Sequence, residues 1–234
     1  MTFDQARNRN GSAVGTFPRW EHDLTVISIF SGAGGSGRTT LAVGLAAYFA
    51  KSGRATALLD VNYADNQVAV RWAEKIAGTA SSWSFPTIGY PDGDVAAWVK
   101  AHADELDVVV VDGTNYDGVA LRTALALSNM VLVPVESSGR AMEAAAFLVP
   151  LIVAARETNP GLKAYTVVAD ITGKDYEGDP GHAIAELPEL ENVITSAWSF
   201  DDAMDLGHTV FDRPEYDDAA EQIIALATEV ERLI

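Results

Sequence analysis

Gly32-Ala33-Gly34-Gly35-Ser36-Gly37-Arg38-Thr39-Thr40 follows the apolar run Leu24 to Phe30 and leads into Leu41 to Ala50. The order predicts a strand, a phosphate loop and a helix. The pattern is G-x-x-x-x-G-K-[ST] with arginine in the lysine position, which points to a nucleotide site of altered composition. A polyphosphate has to be wrapped by several backbone N–H groups, and only glycine-rich backbone lets it come close enough. The free amides and positive dipole end of the helix starting near Arg38 face the same anion, and the Thr39 hydroxyl is placed to hold Mg²⁺. Gly32, Gly34, Gly35, Ser36, Gly37, Arg38, Thr39 and Thr40 are therefore the candidate nucleotide-binding residues. The competing reading is a glycine-rich turn without a ligand. The strand before, the helix after and two aspartates farther along weigh against it.

Outward from this loop, short β-rich runs alternate with helical patterns. The runs are Thr25 to Phe30, Ala55 to Leu59, Val108 to Val111, Met130 to Val135 and Ala164 to Val168. Between them, periodicity predicts helices over Thr39–Ser52, Asp65–Ala77, Asp94–Ala103, Val119–Leu127 and Arg140–Glu157, the last kinked or divided at Pro150. Two more are expected over Phe200–Leu206 and Glu215–Ile234, the second with Ala219, Ile223, Ile224, Ala227, Val230 and Leu233 as its core stripe. Buried strands alternating with helices predict an α/β fold, a doubly wound and mainly parallel sheet with helices on both faces. Residues 1–22 are polar and aperiodic and read as a flexible arm, leaving 23–234 as a single domain.

Composition narrows the function. The chain of 234 residues is 48% hydrophobic, enough for one sizeable core, and has no cysteine, which excludes disulfides, thiolate metal sites and a thiol nucleophile. The four histidines show no ligand spacing. No apolar stretch reaches the roughly 20 residues of a membrane span, and the polar start lacks a signal core, so a cytoplasmic protein without a membrane association is expected. With 33 acidic against 16 basic residues the formal charge is −17, and no basic patch stands out, which disfavours direct non-specific DNA binding. A solubility surface or a salt-adapted host accounts for the acidity as well.

In this architecture ligands sit beyond the carboxyl ends of the strands. Asp60 follows Thr56 to Leu59 and Asp112 follows Val108 to Val111. Carboxylates at these points can hold Mg²⁺ directly or through water, completing a set of Thr39, Asp60 and Asp112. Trp72, Trp83, Trp98 and Trp198 are widely spaced and without interleaved basic residues, and are assigned to packing. Ser81 to Asp94, with two prolines and two glycines, reads as a loop joining a short edge strand to a helix. Ser137 to Arg140 reads as a helix-capping turn or as a segment near the nucleotide base.

From Leu24 onward the chain resembles the ParA/MinD-type ATPases with a deviant phosphate loop, most of all the small ParA-like plasmid partition proteins. The family's K-G-G-x-G-K-T-T stands here as Ala33 to Thr40, its D-x-D as Asp60-Val61-Asn62, and its strand-ending aspartate as Val111-Asp112-Gly113. Val133-Pro134-Val135 and the late segment Ile194 to Phe211 also follow the family's order and spacing. The resemblance implies an ATP- and Mg²⁺-dependent dimerisation switch that a stimulating or cargo-adaptor protein acts on. Three positions depart from it. Ala33 replaces the lysine that crosses to the partner subunit's phosphates, Arg38 replaces the compact loop lysine, and Asn62 replaces the acid that orients the attacking water.

These departures, clustered around the γ-phosphate, predict a slow or absent hydrolysis in which Asp60 and Asn62 form a degenerate catalytic pair. The expectation is a partition or positioning protein that works by ATP-linked dimerisation and partner binding. The alternative is a nucleotide-independent adaptor using the fold as a protein-binding scaffold. A metabolite-modifying enzyme on the same fold would need positioned acid and base residues that the chain does not offer.

Overall fold

The computed structural model describes residues 24–32, 34–63, 66–77, 85–91, 93–135, 145–169, 186–195 and 197–234. The arm over 1–22, Ala33, Trp83 and the Ser137 to Arg140 segment lie outside the described residues. In chain order the elements are β1 (Thr25–Ile29), α1 (Arg38–Lys51), β2 (Thr56–Asp60), α2 (Val68–Ile76), β3 (Thr87–Gly89), α3 (Val95–His102) and β4 (Val108–Asp112). Then come α4 (Val119–Leu125), β5 (Met130–Val135), α5 (Leu148–Thr158), β6 (Lys163–Val168), α6 (Ala197–Leu206), a 3₁₀ turn at Pro214–Tyr216 and α7 (Asp217–Leu233).

The strands form one sheet in the order β3-β2-β4-β1-β5-β6, every pair parallel. Parallel strands need crossovers, and the helices that supply them cover both faces. Ile27, Ile29, Leu58, Val108, Val110 and Leu132 point to the layer of α1, α2, α6 and α7. Val26, Ala57, Leu59, Val109, Val111 and Val133 point to the layer of α3, α4 and α5. Burial on both sides is why these strands read as unbroken apolar runs, with Val108 to Val111 wholly inaccessible.

The doubly wound reading stands, with local differences. The sheet has a sixth strand, β3, inside the segment read as a loop; it is three residues long, half-buried to exposed, and pairs only with β2, so it carries no apolar run. The break expected at Pro150 is a helix start: Pro150 is the third residue of α5, where its missing N–H belongs to the first-turn set that has no intrahelical acceptor. Trp72 is buried in the core, whereas Trp198 is 65% exposed on α6, with its ring edge-on to that of Tyr216. On α7, Leu226 takes the core position expected of Ile224, which faces out.

Candidate functional site

The phosphate loop connects β1, at the centre of the sheet, to α1. Ser36 Oγ donates to Ser31 Oγ at 2.7 Å, and both residues are buried, which ties the two ends of the loop together. Gly35 and Gly37 have φ of +79°, a left-handed conformation that favours glycine. A Cβ at Gly34 or Gly35 would meet no protein atom within 4 Å, so protein packing does not demand the bare backbone there. Gly37 is the N-cap of α1 with no side-chain cap, and the first turn holds no acid. The start of α1 therefore presents unsatisfied N–H groups and a positive dipole end beside the exposed Gly34 and Gly35, as an anion requires.

Asp60 and Asp112 close adjacent parallel strands and are register partners, and both are fully buried. Thr39, on the first turn of α1, donates its hydroxyl to Asp112 Oδ2 at 2.8 Å. Asp112 Oδ1 is buried without a hydrogen-bond partner. Burial first, and the neighbouring Asp60 second, push the Asp112 carboxyl up to about 7, against the pull of the Thr39 bond and the Arg38 charge. Gly113 follows at the strand end, where a Cβ would come within 2.1 Å of the Phe30 ring and 2.4 Å of the Ile29 carbonyl oxygen. No other residue allows this approach of the β4 exit to the β1 exit.

Asp60 is differently engaged. Its Oδ1 accepts from the Asn62 backbone N–H at 3.2 Å and from the Asn62 side-chain amide at 2.9 Å. Its Oδ2 accepts from the Ala69 and Val70 N–H groups at 3.0 and 3.4 Å. Gln67, at the cap position of α2, makes no cap bond and instead donates to the carbonyls of Asp60 and Asn62. Asp60 thus caps α2 from a distance. Burial nonetheless raises its pKa, opposed by these bonds.

Arg38 is half-buried, and its buried Nη1 has no hydrogen-bond partner. Desolvation lowers its pKa, and the fields of Asp112 and Asp60 raise it. The structure brings Thr39, Asp60, Asn62 and Asp112 together within the field of Arg38, whereas Thr40 lines a small pocket with Phe200, Ala203 and Val210 on the α6 side. The Ser31–Ser36 bond and the Gln67 bridge were not anticipated, because neither residue type at those spacings carries a known signature. Oxygen donors at Thr39 and Asp112 suit a hard divalent cation such as Mg²⁺, and the unpartnered Oδ1 is the atom it would satisfy. The open cradle at Gly34 and Gly35, with the Arg38 donor, suits phosphate.

The family description "CobQ/CobB/MinD/ParA nucleotide binding domain" fits residues 27–227. The chain belongs to that family. Among curated proteins, this MinD/ParA-type domain is 29% identical over 115 residues to the protein virC1 of Rhizobium radiobacter, covering 47% of this chain and 48% of virC1. The chain thus spans about half the length of that relative. Among solved structures it is similar to the septum site-determining protein MinD of Pyrococcus horikoshii OT3 complexed with Mg-ADP, at a TM-score of 0.68 and 18% identity over 90% of this chain and 97% of that one. The MinC:MinD cell division complex of Aquifex aeolicus matches at 0.64 and 18%, over 88% and 95%. A plasmid partition protein of Borrelia burgdorferi matches at 0.61 and 16%, over 90% and 100%. At these identities the likeness is one of fold, a P-loop α/β sheet. No helix among the described residues is long and apolar enough to cross a membrane.

Proposed function

We propose that the protein is a nucleotide-dependent positioning or partition switch that binds ATP with Mg²⁺, dimerises in that state, engages a partner protein and hydrolyses ATP slowly or not at all. The observation that carries this reading is the buried, unpartnered Asp112 Oδ1 beside the Thr39 hydroxyl, at the open end of a preformed phosphate loop. In the proposed complex the Gly34 to Thr40 backbone holds the phosphates, Arg38 supplies a fixed positive charge, and Thr39 and Asp112 hold the cation. Asp60 takes part through its hold on Asn62 and α2, or through water. Bound Mg²⁺ would neutralise charge between the phosphates and the carboxylates.

Slow chemistry follows from Asn62. Its amide is spent on Asp60 Oδ1 and on the Asp112 carbonyl, the latter at 3.4 Å, and an amide is a very poor acceptor for the proton of an attacking water. The relatives known as division and partition proteins support the positioning role by analogy of fold alone.

Calorimetric titration of the purified protein with ATP and Mg²⁺, with light-scattering mass on the same samples, tests the reading. Binding with a shift from monomer to dimer is expected. No heat and no change in mass at millimolar ATP would overturn it and leave the nucleotide-independent adaptor as the account.

A further inference from the structure

Two tyrosines stack over the carboxyl ends of β2 and β4. The rings of Tyr63 and Tyr116 lie with centroids 4.8 Å apart and planes 7° from parallel, although Tyr63 is 51% exposed. Tyr63 directly follows Asn62 on the loop leaving β2, and Tyr116 stands on the loop that leaves β4 after Asp112. Beneath the rings the same two loops are joined in the interior. Val61 N–H donates to the Asp112 carbonyl at 3.0 Å, and the Asn62 amide reaches that oxygen too.

The Tyr116 side of the stack is heavily built. Buried Thr114 accepts from the Tyr116 N–H at 3.2 Å and donates to its carbonyl at 2.9 Å. The ring lies so close over Gly118 that a Cβ there would come within 2.7 Å of it. Asp117 is held by Arg122 of α4 through two bonds of 2.7 and 2.6 Å. One ring is thus anchored through its own loop, and the other rides on the loop that carries Asn62. A face-to-face contact between them transmits position from one loop to the other.

We infer that the Tyr63–Tyr116 stack is a positioning element for the phosphate site: it fixes the loop after β2 against the loop after β4, so that Asn62, Asp60 and Asp112 keep one arrangement. The inference rests on reading the site as a nucleotide site. A ligand that shifts Asp112 would, through the stack, shift the β2 loop and, through Asp60, the start of α2.

The test compares Tyr63→Ser, which removes the ring, with Tyr63→Phe, which keeps it. Amide hydrogen exchange is followed in the nucleotide-free protein, and the release rate of a fluorescent ATP analogue in the loaded one. Aromatic pairs of this kind correspond to roughly fivefold in an equilibrium. Tyr63→Ser is expected to speed exchange over residues 113–118, a loop it does not belong to, by about fivefold, with a similar gain in nucleotide release. Tyr63→Phe is expected to restore both to within about twofold. Unchanged exchange over 113–118 in Tyr63→Ser overturns the inference whether or not nucleotide binds. Faster exchange with unchanged release overturns it as well. Coupled exchange in a chain that binds no nucleotide overturns the nucleotide reading, and with it this role, while the tie between the loops stands.

Discussion

The side-chain amide of Asn62 donates to Asp60 Oδ1 at 2.9 Å, inside a buried site where that carboxylate has no ion-pair partner among the described residues. An amide here stabilises the charged form of its neighbour, and a carboxylate would repel it. Asn62→Asp, the change that restores the family's D-x-D, is therefore expected to weaken the protein while it speeds hydrolysis, because the new carboxylate can take the proton of an attacking water. The expected loss is about 2 kcal/mol at pH 8, smaller at pH 5.5 where one carboxyl takes up a proton. Chemical denaturation at the two pH values, together with a phosphate-release assay, checks both parts.

Asp112 sets a pH dependence of definite sign. Its folded pKa is raised to about 7, against roughly 4 for an unfolded aspartate. Between these values the folded state holds a proton that the unfolded state has released. The contribution is complete below about pH 4 and is lost as the pH rises through about 7. Asp112→Asn keeps an acceptor for Thr39 and removes the charge, so it is expected to flatten this slope. It should stabilise the nucleotide-free protein at pH 8 by on the order of 3 kcal/mol, and abolish Mg²⁺-dependent nucleotide binding. Denaturant midpoints at pH 5, 6.5 and 8, with and without ATP and Mg²⁺, read out the pair of effects.

Arg38 leaves a buried donor without a partner, which is costly, and places a planar fork where a point charge fits more readily. Arg38→Lys is expected to bind ATP with Mg²⁺ about tenfold more tightly, and Arg38→Ala at least about tenfold more weakly. Titration calorimetry under one set of ionic conditions distinguishes them from a response to charge alone.

Gly113 is a steric requirement of the crossing between the β1 and β4 exits. The added methyl of Gly113→Ala would have to displace the Phe30 ring and the Ile29 carbonyl, both buried. A loss of about 3 kcal/mol is expected, or roughly 6–12 °C in Tm, measurable by scanning calorimetry.

The central strands were legible because burial on both faces writes itself as an uninterrupted apolar run, as in Val108 to Val111. The phosphate loop was legible because glycine spacing encodes backbone shape directly. For β3 only the existence of a short edge strand was legible and not its place, since three residues with a single partner have no run to show. The capping of α2 by Asp60 was hidden for another reason: acceptor and donor are nine residues apart, with Gln67 standing at the usual cap position. The tyrosine stack depends on two loops that meet only once the sheet has formed. Trp198 shows the converse, an aromatic residue whose type does not say whether it fills the core, and whose position on α6 leaves it 65% exposed.

Asp60 holds the chain leaving the carboxyl end of the sheet with one oxygen and the first turn of α2 with the other. A mutational scan would therefore rank position 60 as intolerant even under conditions where nucleotide is irrelevant to survival. A descendant of this chain that had abandoned phosphate altogether would still need the aspartate to start its second helix. The survival of an acid at that place is a record of architecture, and only the freer oxygen of Asp112 is left to report on chemistry.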